Sequence, residues 1–315
     1  MAQFTWTFDA PTGTYKSHAM SMHLYEAALQ KSVFMDYVRP VEGFGRKKGE
    51  TVTLTRVTNL AEPTDPTLTE GIRIPEDTIA INTTSITVTE LGRSVPFTNL
   101  ADDLSEFDIE NIVQKRLRDQ MKLALDTLIA KNAFKKAKVK YTPTGLASDT
   151  IATNGTAGAQ ATENMNVYHV ETIRDYLFDT LACPPYEGED YVGIFRTLGL
   201  RGIKRDPAWE IWHQYTDPQA KYNNEIGKIE NVRFVETNHA NALGTVGASS
   251  CLGEGFVFGE DAAAMAEAMT PELRAAIPVD FGRSRAVAWY GILNFGIIWD
   301  TANQGQARIV HVTST

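Results

Sequence analysis

At 315 residues, 43% hydrophobic and 22% charged, the chain has the composition of a folded protein and length for about two domains. A net charge of −9 with no long basic block excludes a dedicated nucleic-acid reader, which needs a basic face or tail. Cys183 and Cys251 stand far apart and outside any C-x-x-C motif, which points to free thiols in a reducing compartment rather than a disulfide framework. The start does not read as a signal peptide and no run of about 18 apolar residues is present, so a chain made and used in a cytoplasm is expected.

Residues 1–15 alternate, with Phe4, Trp6 and Phe8 on one side of an extended arm. Burying each aromatic is worth ~1.5–3 kcal/mol, and no second strand lies nearby in sequence, so the arm needs a surface elsewhere, such as another subunit. Ser17 to Val38 keeps helical spacing through Met20, Leu24, Ala27, Ala28 and Met35, with Pro40 as its stop. The glycine-rich basic loop Gly43 to Glu50 lacks Walker spacing and reads as a turn.

Residues 50–97 carry two alternating runs rich in threonine, valine and isoleucine, Thr51 to Thr58 and Ser85 to Phe97. Between them lie prolines, acids and the short strand fragments around Ile72, Ile74, Ile79 and Ile81. This predicts one long two-stranded arm, roughly 40–50 Å if extended, with a ragged tip. A two-stranded ribbon is marginal alone in water, so it needs a surface to lie on.

From Asp102 to Lys140 apolar residues recur at three-and-four spacing: Ile109, Ile112, Val113, Leu117, Met121, Leu125, Leu128, Ile129 and Ala133. Acids gather at the start and lysines at the end, as the helix dipole favours, and Ser105 with Asp108 resembles a weak capping box. The spacing predicts a spine helix of about thirty residues, roughly 45 Å long. Thr142 to Thr162 is small and polar and reads as a loop. A helix is expected over Asn166 to Leu181, strands over 190–196, 231–238 and 253–259, and a short helix over 206–215. The alanine-rich run DAAAMAEAM (261–269) reads as a helix, 283–300 as a long strand, and 307–312 as the last strand. Mixed order without βαβ repetition gives an α+β class.

No catalytic constellation stands out. There is no G-x-S-x-G elbow, H-E-x-x-H, EF-hand loop or dinucleotide fingerprint. His18 and His23 are five apart and share no helix face for zinc, and His213 sits among bulky residues. No catalytic, cofactor or metal residues are assigned, and a non-enzymatic role is expected.

The order of parts, together with the phrases EIGKIENVRFVE (Glu225 to Glu236) running into TNHA, then GEGFVFGEDA and VDFGRSRAVAWYGILNFGIIWD with RIVHV, resembles a tailed-bacteriophage major capsid protein of the Hong Kong ninety-seven type fold, and within it the N-four-like family. The resemblance covers nearly the whole chain. It implies an N-terminal arm and helix (1–49), an extended β-hairpin loop over a neighbour (50–98), a peripheral domain with the spine helix (99–162), an axial domain (163–255) and closing strands of the peripheral domain returning to the axial one (256–315). The implied function is a virion shell of pentamers and hexamers of this chain around double-stranded DNA, contacted non-specifically. Implied partners are a portal protein and, with no long prodomain at the start, a separate scaffolding protein; a decoration protein is a further candidate, and no membrane is involved. Alternatives are an encapsulin-like shell holding a cargo enzyme, or a monomeric α+β enzyme or binding domain.

Interface candidates are Phe4, Trp6 and Phe8 on the arm, with Glu62, Asp65, Glu70, Ile72, Ile74, Glu76 and Asp77 on the ribbon tip. The acids are expected to meet Arg or Lys on a neighbour, and the basic clusters to face the shell interior. Some capsids of this fold join subunits through a lysine of the extended loop, but no lysine lies between Lys48 and Lys115 here. Boiled particles should therefore run as single subunits on a denaturing gel; a ladder of multimers would contradict this.

Overall fold

The computed structural model describes residues 28–41, 44–45, 47–105, 107–207, 209, 225–278, 280 and 283–315. The arm with Phe4, Trp6 and Phe8, much of the helix expected over 17–38, and most of that expected over 206–215 lie outside the described residues. From residue 28 onward the expected first helix is replaced by irregular chain, a 3-10 turn at Phe34–Tyr37 and a short strand β1 (Val38–Pro40). The reason is a competing acceptor. The amides of Val33 and Phe34 donate to Asp126 Oδ1 at 3.0 and 2.8 Å.

The strands β2 (Thr51–Val57) and β3 (Ile81–Thr87) pair antiparallel from Thr51↔Thr87 to Val57↔Ile81. The ribbon is shorter than expected. Its second run divides at Val88, and β4 (Thr89–Thr98) leaves to join a different sheet. Of the isoleucines expected as strand fragments, only Ile81 lies in a strand.

Helix α1 (Asn99–Leu104) starts on Thr98, whose hydroxyl accepts from the Ala101 amide. The spine, α2 (Ile109–Asn132), is 24 residues, about 36 Å at 1.5 Å per residue. Its cap is Asp108, which accepts from the Asn111 amide at 3.0 Å; Ser105 instead accepts from the Phe107 amide in the turn between the helices. The expected helix overran at its far end. Phe134, fully buried, sits with ring centroids 5.3 Å from Phe34 and 5.0 Å from Phe258, and draws the chain off axis through a 3-10 turn at Phe134–Lys136. The chain then forms β5 (Val139–Gly145) and β6 (Ser148–Ala152), a hairpin where a loop was expected.

The remaining elements are α3 (Val167–Asp175), β7 (Tyr191–Arg196), α4 (Thr197–Arg205), β8 (Glu225–Ile229), β9 (Val232–Thr237), the minimal pair β10 (Thr245–Val246) and β11 (Leu252–Gly253), β12 (Gly255–Phe258), β13 (Ala263–Ala275), β14 (Ser284–Ile297) and β15 (Ile309–Val312). Seven strands form a mixed sheet in the order β6-β5-β15-β12-β7-β9-β8. Its central strands are buried on both faces and alternate between two cores. Tyr191 and Phe195 of β7 face α3 residues Val170 and Ile173, whereas Val192 and Ile194 face Phe34, Phe134 and the end of α2.

The second sheet runs β1-β13-β14-β4. Alternate residues of β14 bury Val287 and Trp289 against Leu117 of the spine, and the Trp289 indole N–H reaches Gln120 Oε1 at 3.4 Å. The alanine-rich run expected as a helix is the first half of β13. It lies between β1, in parallel, and β14, antiparallel, and Ala264 and Ala266 pack under the ribbon. Neighbouring strands override local helix propensity here. Leu117 is 2% exposed and Leu104 77%. Leu117→Ala should lower subunit stability by about 2–5 kcal/mol in urea unfolding of unassembled protein, and Leu104→Ala by no more than about 0.5 kcal/mol.

Candidate assembly surfaces

The ribbon has a root and a tip of opposite character. At the root, Val52 and Ile86 are buried on Ala264 and Ala266. A Cβ at Gly296 would stand 2.7 Å from the Ile86 side chain, so a larger residue there would push Ile86 aside. Arg56, its side chain 5% exposed, reaches Asp300 at 2.6 Å, and Trp299 stacks under both Arg56 and Arg308 at 5.9 and 5.0 Å.

Beyond Val57 and before Ile81 there is no regular structure, and every residue from 59 to 83 is exposed. This segment holds the interface candidates Glu62, Asp65, Glu70, Ile72, Ile74, Glu76 and Asp77 together, with Ile72 71% and Ile74 64% exposed. Its internal bonds are few. Asp65 accepts from the Thr67 amide and hydroxyl, which holds its carboxyl below the usual range, and Arg73 pairs with Glu76. Glu76 thus has a partner in its own chain. Leu60, Leu68 and Ile79 are exposed on the same segment, at 52%, 63% and 62%.

A second organised feature was not foreseen. Asp126 lies on the buried stripe of the spine between Leu125 and Ile129. Its Oδ1 takes the amides of Val33 and Phe34, and its Oδ2 stands 2.9 Å from Nδ1 of His239, whose Nε2 lies 3.3 Å from Thr127 Oγ1. Lys31 is fixed as well: its amide donates to Asn238 Oδ1 at 2.7 Å and its carbonyl accepts from Thr237 Oγ1 at 2.9 Å. Residues 31–34 are thereby clasped between the spine and the end of β9. The only sequence signal was one acid on an apolar stripe.

At the spine's far end, Glu254 Oε2 receives Lys135 Nζ and the Gly244 amide, both at 2.7 Å. Lys140 Nζ lies 2.8 Å from His311 Nδ1 and donates to the Lys135 carbonyl at 2.8 Å, and His311 Nε2 faces Glu254 Oε1 at 3.5 Å. Burial opposes a charged Glu254, but bonds from His311, Lys135 and Gly244 prevail and hold its carboxyl at about 2. Burial pushes the Lys140 ammonium down to about 8 despite Glu254, and His311 down to about 4. In front of this cluster, between β3, the end of the spine and β14, opens a groove of about 570 Å³ lined by Lys135, Lys136 and Lys138 with Asn132, Asn154 and Asn294.

Among the described residues no group of three His, Cys, Asp or Glu side chains could hold a metal ion. Cys183 and Cys251 are free, and burial raises the Cys183 thiol to about 11. No described helix is long and apolar enough to cross a membrane.

Residues 17–179 match the family model described as the phage capsid family. The fold is similar to the capsid of Ralstonia phage GP4 (15% identity, TM-score 0.65, 99% of each chain covered) and to the Cyanophage Pam1 capsid (17% identity, TM-score 0.65, 100% of this chain and 99% of that one). It is also similar to the head structure of Helicobacter pylori bacteriophage KHP40, at 12% identity and TM-score 0.69 over 94% of this chain and 95% of that one. No curated protein sequence matches the chain.

The buried cluster gives a pH dependence. Between 6.5 and about 4 the unfolded chain protonates His311 while the folded chain does not, so stability falls as pH drops through that window. Glu254 acts in the same direction below 4.5, where the unfolded carboxyl takes up a proton that the folded one refuses. His311→Gln should flatten the fall in thermal midpoint between pH 6.5 and 4; an unchanged slope would remove His311 as its source.

Proposed function

The chain belongs to the phage capsid family, and from that membership we propose how its copies hold one another in a head shell. It is a major capsid protein, and many copies enclose the phage genome. The family match favours this over an encapsulin-like compartment. In our reading the ribbon tip is the reaching part. It crosses to a neighbouring subunit and buries Ile72 and Ile74 there, while the root stays fixed on its own sheet. The unbroken exposure of residues 59–83 is the observation that carries this reading. The N-terminal arm with Phe4, Trp6 and Phe8 is proposed as a second reaching part, directed by the clasp at Lys31, Val33 and Phe34.

Residues 163–255 are read as most of the axial part, its sheet completed by β5, β6, β12 and β15, and the spine with the four-stranded sheet as the peripheral part. Burying one isoleucine is worth only ~1.5–3 kcal/mol, but each subunit has several neighbours, so a closed shell becomes stable by multivalency. Such contacts leave shell curvature undetermined, which supports a separate scaffolding protein as partner. A shell filled after closure needs an opening, which supports a portal protein, and a decoration protein would add contacts on the outside. The net charge of −9 suits containment of DNA without tight binding. Assembly is placed in the host cytoplasm and the finished protein in the virion.

Ile72→Asp with Ile74→Asp should leave the subunit's melting unchanged and abolish shells in negative-stain micrographs. Normal shells from this variant would reject the tip as a contact. In the same experiment, the unaltered chain made without other phage proteins should give irregular particles; uniform closed shells would remove the scaffolding partner.

A further inference from the structure

We propose that the basic groove at the end of the spine is the socket for the acidic ribbon tip of a second copy of this chain. This rests on the reading of the ribbon as an inter-subunit arm and names the surface that receives it. One wall of the groove is β3, from Thr84 to Thr87; the other carries Lys135, Lys136 and Lys138. Lys135 is held by Glu254 at 2.7 Å. Lys136 and Lys138 are exposed, and among the described residues neither has an acidic partner. Asp300, the acid on the rim, is answered by Arg56 at 2.6 Å. The floor is neutral: Asn132 donates to Asn294 at 2.8 Å, and Asn294 donates to the Thr87 carbonyl at 2.7 Å. The groove therefore presents unanswered positive charge.

The tip presents the opposite. Arg73 is its one base and is matched by Glu76. Glu62, Glu70 and Asp77 are exposed and have no basic partner among the described residues. The tip of the same chain does not fill the groove, since every residue from 59 to 83 is exposed. The groove wall is the root of that same ribbon, and the tip lies beyond its last pair, Val57 with Ile81. The occupant is a second copy.

Exposed ion pairs are individually weak and screened by salt. Their part here is to steer the tip and fix its register, while Ile72 and Ile74 supply buried area. Nucleic acid is the competing occupant, since a phosphate chain carries the same charge.

The test uses charge reversal in the full chain, assembled with its own phage partners. Lys136→Glu with Lys138→Glu should reduce shell yield at least tenfold, and so should Glu70→Lys with Asp77→Lys. Combining all four changes should restore shells, which also shows that the reversed chains fold. If the groove variant assembles normally while the tip variant fails, the socket lies elsewhere and the arm reading stands. If both assemble normally, both fall. Failure of the combination to restore shells overturns the pairing. Groove-variant shells in normal number but with reduced DNA content assign the groove to nucleic acid and overturn the proposal.

Discussion

A two-stranded ribbon has one face to bury and no second layer of its own, and the organisation of this subunit follows from that constraint. The body solves it for seven residues of each strand by laying Val52 and Ile86 on the alanines of β13. It does not solve it for the tip. In the proposed assembly, contacts between copies take over where the chain's own surface ends.

Those contacts need a stiff base, and the spine supplies it. Along one half α2 packs Leu117 on Val287 and Trp289 of the four-stranded sheet. Along the other, Leu125 and Ile129 enter the core against the seven-stranded sheet. One helix thus joins both sheets, and Asp126 on the same helix holds the backbone at Val33 and Phe34. The ribbon root sits on β13 of the four-stranded sheet, and that sheet in turn packs on the spine through β14.

What the sequence made legible follows from where the deciding forces act. The threonine–valine alternation of β2 and the stripe of α2 are local patterns, and both elements formed. The capping residue was missed by three positions because Ser105 and Asp108 are both competent caps, and only the turn at Phe107 separates them. The strand over 263–275 was hidden because alanine favours a helix, and strands far away in sequence made the choice. The hairpin at 139–152 was likewise hidden, since β5 is held by β15 from the other end of the chain. Of the assembly surface, the acidic and apolar tip was readable as composition. The groove was not, because Lys136 and Lys138 meet β3 and Asn294 only in three dimensions.

The bare stretch between 59 and 83 also limits how long a solitary subunit survives. An extended, unprotected segment is what a host protease cleaves first, and one cut there severs the ribbon. In the proposed assembly a neighbour covers the same segment and puts it out of reach, so the part that joins copies would also mark those that were never joined.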